Sequence, residues 1–286
     1  MSGFDADWLA LREPFDAAAR SSALVAELRA QLPHGAALEI LDLGAGAGSN
    51  LRHLAPLIGG AQHWRLTDHD PRLLETAIAT THAWAGERGA EVRRAGSALT
   101  IRSLDFTCEV HCEPADLAEL AIVDLPSRGL VTAAALLDLV SQRWIDELAE
   151  RCSAARAAVC FVLSYDGRTS LAPAEPEDAE VLDLVNRHQL GDKGFGPALG
   201  PRAAAAAEAA FKARRYEVRV ARSGWAVGSH EHALQLALLD GWRDAAIDMA
   251  RDRRLALDAW HERRRAHVAA GRSTLHVGHI DLVGWL

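Results

Sequence analysis

The stretch Leu38-Glu39-Ile40-Leu41-Asp42-Leu43-Gly44-Ala45-Gly46-Ala47-Gly48-Ser49-Asn50 decides the fold. Leu38, Ile40, Leu41 and Leu43 read as a short buried strand. Gly44, Gly46 and Gly48 follow at alternate positions, and Ser49 and Asn50 lead into an apolar helical repeat at Leu51, Leu54 and Ala55. Strand, glycine turn and helix open a nucleotide-binding βαβ unit. Glycine lets the backbone take positive φ and lets a ligand approach main-chain atoms that a Cβ would block.

The spacing separates the nucleotide classes. A dinucleotide fingerprint is Gly-x-Gly-x-x-Gly, and a phosphate-binding P-loop needs a following Gly-Lys-Ser/Thr. Here the run is Gly-x-Gly-x-Gly behind Asp42, with no such lysine. The motif resembles the first motif of the class I S-adenosylmethionine-dependent methyltransferases, (Asp/Glu)-x-Gly-x-Gly-x-Gly. That resemblance implies a cofactor without phosphate, and Asp42 suits its cationic amino-acid end. It places the cofactor against Asp42, Gly44, Ala45, Gly46, Gly48 and Asn50.

Downstream, His63 to Thr67 is a second strand, followed by Asp68-His69-Asp70-Pro71. Asp70 before Pro71 is a helix N-cap with proline at the first helical position. Asp68 is left at the strand's carboxyl end, where a ribose-binding carboxylate belongs. It matches the family's second motif, and His69 stands beside it. Leu74, Ala77, Ile78 and Thr81 carry the next helix. Leu99 to Leu104 is expected to be the third strand. In the family an acid after this strand accepts from the adenine amino group and its neighbour stacks on the ring; Asp105 and Phe106 are the matching residues.

Gly129 to Ala135 is continuously apolar, as expected of a strand buried on both faces. The family usually has Asp where Gly129 stands. Asp138 falls on the loop where methyl donor and acceptor would meet. Ser141 to Cys152 is a helix, and Ala157 to Ser164 a fifth strand ending at Tyr165-Asp166. Alternating strands and helices predict a doubly wound parallel sheet with ligands beyond the strand carboxyl ends. The resemblance covers roughly 38–164.

Around this core the chain is more particular. Phe4 to Leu32 reads as a helical cover with a break near Pro14, and Arg20 on it either meets the cofactor carboxylate or an acidic substrate, or pairs with Asp16. Pro173 to Asp178 is an acidic loop. His188 to Pro201 carries four glycines and two prolines and suits a loop closing over a substrate. Two helices, His230 to Met249 and Arg251 to Ala269, precede a last strand, Thr274 to Val283; the Arg-rich second one is expected to be a solvated face, given its interspersed acids. The inserted helices could cover the acceptor pocket or form a dimer face.

The chain has 286 residues and a net charge of −8. That charge argues against a general nucleic-acid binder. No apolar run reaches membrane-helix length, and the first residues lack a secretory pattern. The four cysteines, without Cys-x-x-Cys spacing, read as reduced cytoplasmic thiols. His230-Glu231-His232 and His276-Val277-Gly278-His279 lack a full metal-ligand set.

The expectation is therefore a single α/β domain over 1–286: a doubly wound, mostly parallel, seven-stranded Rossmann-like sheet. Residues 1–35 form its helical cover, 36–165 the cofactor-binding core, and 166–286 the substrate loop, helical insertion and last strands. The implied activity is methyl transfer from S-adenosylmethionine to a small-molecule acceptor, without a metal and with homo-oligomerisation open. His188, Tyr165 and Asp138 are the candidate bases. Alternatives are a non-catalytic S-adenosylmethionine-binding protein, an RNA methyltransferase, an aminopropyltransferase, or an NAD-dependent oxidoreductase.

Overall fold

The computed structural model describes residues 5–33 and 35–286. Phe4, the expected start of the helical cover, lies outside them. The central strand β1 (Leu38–Leu43) pairs in parallel with β2 (Gly60–Asp68) on one side and β6 (Leu130–Ala134) on the other. β5 (Phe106–Pro114) and β7 (Ala158–Ala172) extend the parallel run outward from β2 and β6.

Among the described residues the sheet is mixed and has ten strands, which corrects the expected seven. At one edge a hairpin, β3 (Glu91–Ala95) and β4 (Ala98–Arg102), pairs antiparallel onto β5. At the other, β10 (Thr274–Trp285) runs antiparallel to β7, β8 (Glu217–Arg222) and β9 (Trp225–Val227).

The third parallel strand is β5, not Leu99 to Leu104. Phe106, Cys108 and Val110 point inward, with Thr107, Glu109 and His111 between them facing out. That period of two marks a half-buried strand. Leu99 and Ile101 also alternate, but as the returning arm of the hairpin.

Helices cover both faces. On one, α2 (Ser22–Arg29), α3 (Ser49–Ile58) and α4 (Pro71–Glu87) bury Leu24, Leu28, Leu51, Leu54, Ala77 and Ile78 against Ile40, Trp64 and Leu66. On the other, α5 (Gln142–Ala155) and α7 (Ala203–Ala213) pack Ile145, Leu148 and Phe211 onto Leu41, Val131 and Phe161. Each such leucine contributes about 2 kcal/mol of burial.

α1 (Ala6–Ala19) runs through Pro14. The break comes later, at Arg20-Ser21, where Ser21 caps α2 through a 3.3 Å bond from the Leu24 amide. α6 (Asp178–His188), α8 (His232–Met249) and α9 (Arg254–Ala269) form a further cluster around Trp260, Leu257 and Val181. The Arg-rich helix is not simply a solvated face. Arg264 on α9 is fully buried, pairing with Asp178 and donating to the Pro173 carbonyl, while Arg263 reaches Glu175 and Glu177. The acidic loop and the basic helix fasten each other.

Gly129 is glycine for a steric reason. A Cβ there would collide with the Glu39 carbonyl oxygen and lie 2.6 Å from Pro126 Cβ. The aspartate usual in the family has no room. Gly129→Ala is expected to lower unfolding free energy by about 1–3 kcal/mol, the usual range for overpacking, measured by urea denaturation.

Candidate active site

The carboxyl ends of β1 and β2 and the segments after β5 and β6 meet at the glycine turn. Gly44, Gly46 and Gly48 have φ of +65°, +52° and +80°. A side chain would be strained at each, and one at Gly46 would also press on Leu9 of α1, whose Cδ1 lies 3.1 Å from a Cβ built there. The Ala45 amide bonds the Thr67 carbonyl at 2.9 Å, tying the turn to β2.

Asp68 ends β2 with its carboxylate under this turn. Oδ2 accepts from the Gly46 amide at 2.9 Å and Oδ1 from the Asp70 amide at 3.0 Å. His69 Nδ1 lies 3.2 Å from Oδ1. Each carboxylate oxygen retains capacity for another donor. Asp70 caps α4, accepting from the Arg72 amide at 2.9 Å.

Asp42 is fully buried. Asn50 Nδ2 donates to its Oδ1 at 2.7 Å and to Thr132 Oγ1 at 3.0 Å, and the Thr132 hydroxyl passes on to the Cys160 carbonyl at 2.7 Å. Among the described residues, Asp42 Oδ2 and Asn50 Oδ1 have no hydrogen-bond partner. Burial pushes the Asp42 carboxyl up to about 7, against the Asn50 bond and the Arg20 charge.

Arg20 is 8% exposed, and its Nε and Nη2 have no partner among the described residues. Burial pulls its pKa below the usual range, opposed by the charges of Cys160, Asp281, Asp42 and Asp16. Asp16 is instead committed to Arg12, at 2.9 and 3.1 Å. Arg20 opens onto a cavity of about 320 Å³ whose lining includes Ser49, His53, Trp84, Ala134 and Leu163. Burial, with the Arg20 charge, lowers His53 to about 4, so it is neutral there.

Asp105 and Phe106 are misplaced by the sequence reading. They lie at the amino end of β5, where the Asp105 carbonyl accepts from the Gly60 amide at 3.0 Å and Phe106 stacks on Trp84 at 6.2 Å. That is the opposite end of the sheet from the glycine turn. The acid that follows the third parallel strand at its carboxyl end is Asp116. Ala115 is tied to the Asp68 carbonyl at 2.9 Å, and Leu117 reaches within 3.9 Å of a Cβ built on Gly44. The inward alternation of Phe106, Cys108 and Val110 was the signal that could have found it.

Asp138 lies past β6, 8% exposed, with Oδ1 lacking a partner among the described residues. Burial pushes it up to about 6, against hydrogen bonds from its own and the Tyr165 amide and the Arg12 charge. Tyr165 on β7 donates its hydroxyl to Asn186 Oδ1 at 2.8 Å. His188 does not join them. It sits two residues beyond Asn186 on α6, about 200° around the helix by geometry, and the charges it senses are Lys193 and Asp248. His279, which sequence reasoning considered only as a metal ligand, packs against Tyr165 and Trp225, with ring centroids 6.3 and 4.9 Å away. Among the described residues no three His, Cys, Asp or Glu side chains cluster as metal ligands.

The chain is similar in fold to several proteins of known structure. The YcgJ protein of Bacillus subtilis matches 93% of this chain and 98% of its own at 16% identity, with a TM-score of 0.49. The cyclopropane synthase MmaA2 of Mycobacterium tuberculosis matches 91% and 83% at 9% identity, TM-score 0.44. An arsenic(III) S-adenosylmethionine methyltransferase of Chlamydomonas reinhardtii matches 90% and 72% at 16% identity, TM-score 0.41. No protein-family model and no curated protein sequence matches the chain. What the site can bind is decided by its own side chains. No described helix is long and apolar enough to cross a membrane.

Proposed function

We propose that the chain is an S-adenosylmethionine-dependent methyltransferase, one domain over 1–286, acting in the cytoplasm on a small-molecule acceptor. The observation that carries this reading is the pair of orphaned buried charges, Arg20 and Asp42, beside a glycine turn closed on Asp68. A carboxylate and an ammonium on one ligand would satisfy both, and the amino-acid end of the cofactor has both. A buried charge without a partner is otherwise costly.

In this arrangement Arg20 takes the cofactor carboxylate and Asp42, through its free Oδ2, the ammonium. Asp68 accepts the ribose hydroxyls. The resemblance gives the adenine amino group to an acid after the third parallel strand, and Asp116 takes that role. The turn at Gly44 to Gly48 lets the ligand lie against main chain. When bound, the cofactor supplies a methyl group already made electrophilic by its sulfonium. The protein's share is alignment and exclusion of water. α1, whose Leu9 lies over Gly46 and whose Glu13 is held by Arg52 Nε at 2.8 Å, is the cover.

Asp138 and Tyr165 remain as the groups beside the acceptor, with Asp138 able to hold a proton. Ionised Asp138 is required, so turnover should fall as pH drops through about 6. Asp138→Asn should lower kcat and flatten that limb, while His188→Ala should keep full turnover. A pH–rate profile with saturating acceptor checks both. The Arg20 role is tested by Arg20→Met. Affinity for S-adenosylhomocysteine should fall about 10- to 100-fold, while affinity for 5′-methylthioadenosine, which lacks the amino-acid end, should stay. Equal losses for both ligands would remove Arg20 from the role.

A further inference from the structure

The cluster at Asp138, Tyr165 and His279 has a chemistry that the cofactor leaves unused. His279 is 5% exposed and its Nδ1 has no partner among the described residues, as is also true of Asp138 Oδ1. Tyr165 joins the two. Its backbone faces the Asp138 carboxyl, and His279 is its cross-strand partner on β10.

The groups left over in this cluster offer lone pairs. The Asp138 carboxylate has only lone pairs when ionised. His279 Nδ1 has no partner among the described residues, and burial keeps the ring neutral, with a pKa of about 4, so one ring nitrogen holds a free lone pair. The Tyr165 proton is given to Asn186, so its oxygen also accepts.

The neighbouring charges are already committed. Arg12, between the rings of Trp8 and Trp225, holds Asp16 in two bonds, and the Trp225 indole donates to Asp16 at 3.0 Å. Asp166 is paired with Arg168. His276, the remaining titratable neighbour of His279, lies on the exposed part of β10. The charge without a dedicated partner is that of Asp138.

A ligand that satisfies this cluster must bring several donors and a positive charge. A phenol or alcohol brings one O–H; a carboxylate brings none. We propose that the acceptor is an amine, held by Asp138 and His279, and that the atom methylated is its nitrogen. The inference rests on the methyltransferase reading.

The amine arrives as an ammonium and gives one proton to Asp138. The freed nitrogen lone pair forms the N–C bond to the cofactor methyl as the C–S bond breaks. The bond electrons stay on sulfur, giving S-adenosylhomocysteine. The product is the N-methylammonium, and Asp138 releases its proton to solvent. His279 is a binding residue that keeps an N–H aligned.

Calorimetry on the full chain, first saturated with S-adenosylhomocysteine, tests this with benzylamine, benzyl alcohol and benzoate as probes. Benzylamine should bind at least tenfold more tightly than benzyl alcohol, and benzoate should give no heat. Asp138→Asn should erase the amine preference while still binding S-adenosylhomocysteine, which reports an intact fold. Label from methyl-labelled S-adenosylmethionine should appear on the benzylamine nitrogen. Benzyl alcohol or benzoate binding as well as the amine, no amine binding, or an unchanged preference in Asp138→Asn would overturn the proposal. Failure of S-adenosylhomocysteine to bind at the outset would instead defeat the methyltransferase reading.

Discussion

Asp68→Ala should remove binding of S-adenosylhomocysteine, with affinity falling at least about 100-fold. Hydrogen bonds to a charged group contribute about 1.5–3 kcal/mol each, and Asp68 is proposed to accept two from the ribose. The same carboxylate holds the Gly46 and Asp70 amides, so the variant also loosens the turn that the ligand lies against. Asp68→Asn separates these effects. It keeps one acceptor oxygen for a backbone amide, and its melting temperature should stay closer to that of the parent while affinity still falls. Calorimetric titration beside thermal denaturation of both variants is the check. Tight binding by Asp68→Ala would remove Asp68 from the site.

Asp42→Asn should stabilise the ligand-free protein at pH 8 by up to roughly 4 kcal/mol, the equivalent of a carboxyl raised from its ordinary value near 3.9 to about 7. The sign follows from the raised pKa. The folded state binds the proton more tightly than the unfolded chain. Stability from that proton is fully present below about pH 4 and is lost as pH rises through about 7. The amide mimics the protonated acid and keeps its bonding with Asn50, so parent and variant should match near pH 4 and diverge toward pH 8. Urea denaturation at both pH values measures the difference. The variant should also bind S-adenosylhomocysteine more weakly, because the ammonium loses its counter-charge. Equal stability at both pH values would mean that Asp42 ionises in the fold as easily as in water.

The parts of the site legible in the sequence were those encoded locally. β1 falls on Leu38–Leu43 because four leucine or isoleucine residues sit within six positions before the glycines. Asp68 and Asp70 separated into different jobs because proline at 71 marks a helix start. Two features were hidden for a physical reason. β4, the returning arm of the β3–β4 hairpin, has the same inward alternation as a core strand, and only its pairing onto β5 shows it to be part of an insertion. That shifted the third parallel strand and put Asp105 and Phe106 at the wrong end of the sheet, with Asp116 passed over. His279 was invisible for a different reason. Its neighbours Trp225 and Tyr165 are brought to it by long-range strand pairing, and the register shift between Val277 and His279 breaks the simple alternation of faces. Arg264 likewise reads as one basic residue among many until the acidic loop at 175–178 folds onto it.

The most direct test of the cofactor site is isothermal titration of the full chain with S-adenosylmethionine and S-adenosylhomocysteine, with NADH as the control. Micromolar binding of both sulfur ligands, about −8 kcal/mol, and none of NADH is the predicted result. Binding of NADH instead, or of neither sulfur ligand, would contradict the assignment of the turn at Gly44 to Gly48 to an S-adenosylmethionine site.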